Sequence, residues 1–178
     1  MFNLSSLAFA SLLAASGGAQ AVTYNYAGNT TGAPTYNRAL QDFSGLSKLG
    51  SAVNYQKLEF TVSAGGSYVF TSAAKGGWDN FLFLYGPTFN PAAALTNGLV
   101  ANDDSTGIGF SGFTFALSAG ASYIVVTTGF ESAGNFGAYA NSISGPGTVN
   151  VVPEPGTYGL MALGLAFVGF AARRSRAR

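Results

Sequence analysis

The sequence predicts an all-β protein, an antiparallel β-sandwich or jelly roll, with an apolar segment at its N-terminus and a single hydrophobic helix near its C-terminus. Three observations carry this. Only 8% of the residues are charged, while 25 of 178 are glycine and 14% are aromatic, a composition of short strands and glycine turns rather than of disorder or of surface helices. Apolar residues alternate at period two in two similar stretches. No amphipathic pattern of helical period interrupts them.

Along the chain, the first element is MFNLSSLAFASLLAASGGAQA, with an apolar stretch over Leu7–Ala15 and then Ala19-Gln20-Ala21. Small-x-small after an apolar run is the pattern of a secretory cleavage site, which predicts a signal peptide over 1–21 and Val22 as the first mature residue. The n-region departs from the rule, since no Lys or Arg precedes Arg38.

From Leu58 to Ser72 the chain reads LEFTVSAGGSYVFTS, and Phe113–Thr127 reads FTFALSAGASYIVVT. Leu58, Phe60 and Val62 match Phe113, Phe115 and Leu117; Ser63-Ala64-Gly65 matches Ser118-Ala119-Gly120; Tyr68 matches Tyr123. Alternation on both sides of a short Ser-Ala-Gly linker reads as a β-hairpin, so two hairpins are expected, in equivalent places of two packed sheets. Between them Phe81–Tyr85 is apolar without interruption, which predicts a strand covered on both faces, ended by Pro87, Asn90 and Pro91. NDDSTGIGFSG is a polar, glycine-rich loop, and GAYANSISGPGTVNVV reads as a last strand running into a Pro/Gly linker. The sandwich is expected over 22–151, a single core of ordinary size that needs no disulfide.

The last stretch, 152–178, sets Val152-Pro153-Glu154-Pro155 before an uncharged run, Tyr158–Ala172, and a basic tail over 173–178. As a helix that run reaches about 22 Å, short of the roughly 30 Å of a bilayer core, so it is expected as a transient membrane segment or, marginally, as a permanent anchor. The tail arginines favour the cytoplasmic side, leaving the globular part outside.

Charge and composition also exclude. Four of the eight cations lie in the tail, so the body holds Arg38, Lys48, Lys57 and Lys75 against six anions, and no basic patch for nucleic acid exists. With no Cys and no His, disulfides, thiolate or imidazole metal sites and Ser-His or Cys-His nucleophile pairs are absent. A serine nucleophile would need a lysine base, and no Gly-x-Ser-x-Gly elbow occurs. A carboxylate pair drawn from Asp103 with Asp79 or Glu131 would have to stand about 5–10 Å apart for glycoside hydrolysis. The expectation is a non-enzyme.

Val152-Pro153-Glu154-Pro155, Gly156, the apolar run and Arg173-Arg174 together resemble the PEP-CTERM sorting signal of Gram-negative bacteria. The resemblance implies cleavage by an exosortase after transient membrane insertion, and delivery to the cell envelope, the outer surface or an exopolysaccharide matrix. It implies an address, not an activity. From about Leu58 to Gly129, LEFTVSAGGSYVFT, the aspartate before FLFLY, ANDDS and FTFALSAGASYIVV resemble the bacterial pre-peptidase C-terminal domain, a jelly-roll-like accessory module of secreted proteases. The module is expected to stand without a preceding protease.

Asn102, Asp103 and Asp104, with Asp79, are the one carboxylate cluster of the body. Calcium takes about six to eight oxygen ligands from such groups, but the spacing is not that of an EF-hand, and Asn-Asp-Asp before Ser is also an ordinary turn. Carried over from the second resemblance, Asp79, Asp103 and Asp104 are the calcium candidates; no other cofactor is expected. Tyr24, Tyr26, Trp78, Phe110, Phe130 and Phe136 sit in or near loops, where Tyr and Trp faces suit sugar rings, although Trp78 is better read as a cap on the sandwich and most Phe as its filling. The leading expectation is an exported, non-catalytic module with a structural or surface-binding role. The alternative is a carbohydrate- or calcium-dependent adhesion module, with a glycan- or peptide-acting hydrolase behind both.

Overall fold

The computed structural model describes residues 20–153, 163–165 and 167–168. Ten strands and one short 3-10 turn follow in order: β1 Val22–Asn29, β2 Thr35–Tyr36, β3 Val53–Val62, β4 Gly66–Ala74, β5 Asn80–Tyr85, the turn Pro91–Ala93, β6 Gly98–Asn102, β7 Phe110–Leu117, β8 Tyr123–Gly129, β9 Ala138–Gly145 and β10 Val149–Val151. One sheet has the order β1-β9-β4-β7 and the other β10-β3-β8-β5-β6, with β2 added to β3; all the pairings are antiparallel. The predicted antiparallel sandwich is the fold.

The two expected hairpins are not hairpins. β3 and β4 lie in different sheets, as do β7 and β8, so each Ser-Ala-Gly linker is an arch that carries the chain across the sandwich. The repeats pair with each other instead: β3 runs beside β8 with Phe60 opposite Tyr123, and β4 beside β7 with Phe70 opposite Phe113. Alternation fits both arrangements, because each strand has one buried face either way. The arch is preferred because it turns those faces toward one another, and the rings of Phe60 and Phe70 meet 6.2 Å apart between the sheets. The matched tyrosines act alike, each fastening its own arch. The Tyr68 hydroxyl donates to Ala64 O at 2.8 Å, and the Tyr123 hydroxyl accepts from Ser118 N–H at 2.9 Å.

The final stretch also divides. Pro146, Gly147 and Thr148 break it into β9 in one sheet and β10 in the other, so what reads as one strand closes both layers.

Apolar residues form two layers. Phe60, Tyr68, Phe70, Leu82, Leu84, Val125 and Ile143 fill the space between the sheets. Phe81, Phe83 and Tyr85, on the other face of β5, are covered by Tyr36, Ala39, Phe43, Phe89 and Ala94 from the segments around β2 and the 3-10 turn. All six residues of β5 are therefore buried, as its uninterrupted apolar run predicts. Trp78 is buried as well, its Nε1 donating to Ala138 O at 3.0 Å, and Gly137 leaves the room its ring occupies.

Gly129, at the end of β8, has the backbone carbonyl of Asn135 where a Cβ would stand. Because backbone cannot swing aside as a side chain does, Gly129→Ala should cost about 2 kcal/mol, read as a lower urea midpoint with an unchanged m-value. An unchanged midpoint would mean that the loop over 130–137 is free to move off.

Candidate functional site

Asp79 immediately precedes β5, and Asp103 and Asp104 immediately follow β6. β5 and β6 are antiparallel neighbours with Leu82 opposite Asn102, so the start of one and the end of the other meet at the same end of the larger sheet. Residues well separated in sequence thus present carboxylate oxygens that all lie within 4.8 Å of one another. Asp79 and Asp103 are half-buried and Asp104 is exposed.

The surrounding main chain is held in place. Asp79 N–H donates to Asn135 Oδ1 at 3.1 Å, Phe130 N–H donates to Asp79 O at 3.0 Å, and Asn102 Oδ1 accepts from Gly112 N–H at 2.9 Å. Ser105 closes the loop by donating its N–H and its hydroxyl to Phe110 O. These bonds fix the backbone but do not use the acids. The Oδ1 atoms of Asp79 and Asp103 are buried with no hydrogen-bond partner among the described residues.

Unpartnered carboxylates in one another's field hold their protons more tightly. Burial, then repulsion from Asp79 and Asp104, pushes Asp103 up to about 6 against an offset from Arg38. Asp79 is raised too, by burial first and then by Asp104 and Glu131, with Arg38 again opposing.

Arg38, which the sequence does not single out, is the nearby cation, yet it spends its donors on the main chain. Nε and Nη2 donate to Phe130 O at 2.8 and 2.6 Å, and Nη1 to Ala39 O at 3.0 Å. Its guanidinium lies between the rings of Phe81 and Phe130, 4.5 and 5.0 Å from their centroids. Nothing local in the sequence marks this role, because the two rings come from β5 and from the loop after β8.

In chemical terms, three convergent carboxylates, two of them with an orphaned oxygen, and only a partial counter-charge are a donor set for a hard cation, with carbonyls or water completing the shell. Glycoside hydrolysis asks instead for two acids on opposite sides of a bond; here the three acids share one point. Of the sorting residues, Val152 and Pro153 are described and exposed, and Val152 N–H donates to Glu59 O at 2.9 Å. Glu154, Pro155, Arg173 and Arg174 lie outside the described residues, as do 1–19 of the expected signal peptide. Of the expected C-terminal helix, 163–165 and 167–168 are described and are helical, and among the described residues no helix is long and apolar enough to cross a membrane.

Fold and site together define a two-layer antiparallel β-sandwich with an acidic cluster at one end of its larger sheet. Residues 151–176 match the PEP-CTERM protein-sorting motif, so the C-terminal segment carries that signal, which implies recognition by an exosortase, export and association with the cell envelope. None of the curated proteins matches the chain. Among solved structures, the pre-peptidase C-terminal domain of a collagenase from Bacillus anthracis is similar at 11% identity, covering 68% of this chain and 89% of that one with a TM-score of 0.43. The CBM35 of Abf62 from Cellvibrio japonicus is similar at 14% identity over 75% and 99%, TM-score 0.38. PliG, a periplasmic inhibitor of g-type lysozyme from Aeromonas hydrophila, is similar at 15% identity over 79% and 93%, TM-score 0.37.

Proposed function

We propose that this chain is an exported, non-catalytic β-sandwich protein that its C-terminal signal delivers to the cell envelope or an exopolysaccharide matrix, where it serves as a structural or surface-binding component. The observation that carries this reading is the sorting motif at 151–176. In this reading 1–21 is removed on export, 22–151 is the working module, and 152–178 enters the membrane transiently and is cut away by an exosortase. Asp79, Asp103 and Asp104 hold a calcium ion that neutralises their charge and ties the start of β5 to the end of β6; the orphaned oxygens of Asp79 and Asp103 support it.

The test is the intact mass of the protein recovered from the envelope and the medium of the cells that make it. The expected product lacks both the first 21 residues and the segment after Pro155, and a chain stopped after Val151 should move from the envelope to the medium. A recovered protein that keeps Tyr158–Arg178 would overturn the processing step.

A further inference from the structure

The sandwich is closed along one side and open along the other. On the closed side β6 passes through the loop over 103–109 into β7, and Asn102 Oδ1 accepts from Gly112 N–H across the junction. On the open side β1 is the outermost strand of its sheet, while β3 in the facing sheet is flanked only at its two ends. β2 covers Val53 and Asn54, and β10 covers Phe60–Val62. Between them β3 has β8 on one side and, among the described residues, no strand on the other.

The main chain shows what faces that gap. Tyr55 N–H donates outward to Pro34 O, Glu59 O accepts from Val152 N–H, and Ser63 N–H donates to Thr148 O. Main-chain groups alternate in direction along a strand, so the N–H and C=O of Lys57, midway between Tyr55 and Glu59, also point outward, into the gap. Here the cleft between the two sheet edges opens, with a volume of 620 Å³, lined by Tyr26 of β1, Tyr139 of β9 and Tyr55, Gln56, Lys57 and Leu58 of β3.

Its polar groups are set in advance. Gln56 Oε1 accepts from Asn29 N–H at 3.1 Å and from the Tyr139 hydroxyl at 2.9 Å, which orients the amide and leaves its NH2 to donate. Gly28 makes this possible, since a Cβ there would overlap both the Gln56 oxygen and the Tyr139 hydroxyl. Tyr26, half-buried, stands edge-on to Tyr139 and is stacked on Tyr24 at 5.8 Å.

From this geometry we infer that the cleft binds an acidic polysaccharide. A peptide strand cannot run along β3, because β2 and β10 occupy that lane at both ends of the gap. About 10 Å of strand is open, a length suited to a short run of sugar rings. Sugar hydroxyls both donate and accept, matching the Lys57 N–H and C=O and the Gln56 NH2, while Tyr26, fixed by Tyr24, Tyr139 and the Asn141 amide, forms a rigid apolar wall. Charge selects the class: exposed Lys57 is, among the described residues, the one charged residue that lines the cleft, while Glu59, on the same face of β3, lies with Lys57 in the adjoining groove outside it, so a uronate in the cleft meets a cation although the body as a whole carries more anions than cations.

The inference rests on the proposed envelope placement only for its setting, since binding is measured on the purified full chain. Oligogalacturonate, with a neutral cello-oligosaccharide as control, is titrated by calorimetry in EDTA, so that the acidic cluster and calcium bridging of uronates take no part. Saturable binding of the acidic oligomer is expected, at least tenfold weaker in Lys57→Glu and in Gln56→Leu and unchanged in Lys75→Glu, an equal charge change at an exposed lysine that does not line the cleft, each variant first shown to melt cooperatively. No saturable binding, equal affinity in both cleft variants, or equal affinity for the neutral oligomer would overturn it. Self-association lost in Lys57→Glu without glycan binding would also overturn it, making the cleft a contact between copies of the chain.

Discussion

Phe83→Ala should remove about 4 kcal/mol of stability, a large part of the roughly 5–15 kcal/mol that holds a domain together. Phe83 is fully buried, stacks on Phe81 with ring centroids 4.5 Å apart and planes at 14°, and meets Phe43 edge-on at 5.9 Å. It lies in the layer outside the larger sheet, where irregular segments rather than a second sheet supply the cover. A cavity there cannot be filled by a shift of one sheet against another. It also loosens the segment carrying Arg38, whose guanidinium rests on the neighbouring Phe81. Urea unfolding followed by far-UV circular dichroism reads the loss. A change under about 1 kcal/mol would show that the segments around β2 are not packed on β5 as described.

The second large effect concerns the acidic cluster. Burial first, then Asp79 and Asp104, holds the Asp103 carboxyl at about 6 in the folded chain, above the 3.8 of an ordinary aspartate. A raised carboxylate contributes fully below its unfolded pKa and loses that contribution as pH rises through its folded pKa, because ionisation then favours the unfolded state. In EDTA the thermal midpoint should therefore fall between about pH 4 and about pH 6 by roughly 5 °C. Asp103→Asn should flatten that fall and raise the midpoint at neutral pH. Calcium at a free concentration about a hundredfold above its Kd should return about 2.7 kcal/mol, on the order of 10 °C, to the native chain and little to the variant. Trp78, the single tryptophan, adjoins Asp79 and is buried, so its emission gives a second readout. A native chain indifferent to calcium, or an Asp103→Asn variant that responds equally, would remove the ion from the proposed function.

Much of this fold is legible in the residues themselves. The alternation in Leu58–Ser72 and Phe113–Thr127 marks strands with one buried face, and the run Phe81–Tyr85 marks a strand buried on both. The sorting segment is legible because its parts are contiguous, Pro-Glu-Pro, apolar run and arginines following one another. β1 and β2 give a weaker signal: the burial pattern of β1 does alternate, but as an edge strand it carries Asn, Ala and Gly among its tyrosines and dilutes the apolar period.

Pairing is not legible. A period of two states which face of a strand is buried and is silent on which strand lies beside it, so the Ser-Ala-Gly linkers fit hairpin and arch alike. Only packing chooses, since the faces of Phe60 and Phe70 can be buried against each other across the sandwich. The same holds for the sites. Asp79 and Asp103 are visible as acids near strand ends, yet it is the antiparallel pairing of β5 with β6 that brings their oxygens within 4.8 Å and leaves two of them without a partner. Gln56 and Tyr139 give no signal at all, and Tyr26 only that of a tyrosine near a loop, because the cleft they form belongs to two sheet edges that are remote in sequence. Residue type and local period determined the class of fold and the address carried by the tail. Neighbourhood, which depends on long-range strand pairing, was decided by the tertiary structure alone.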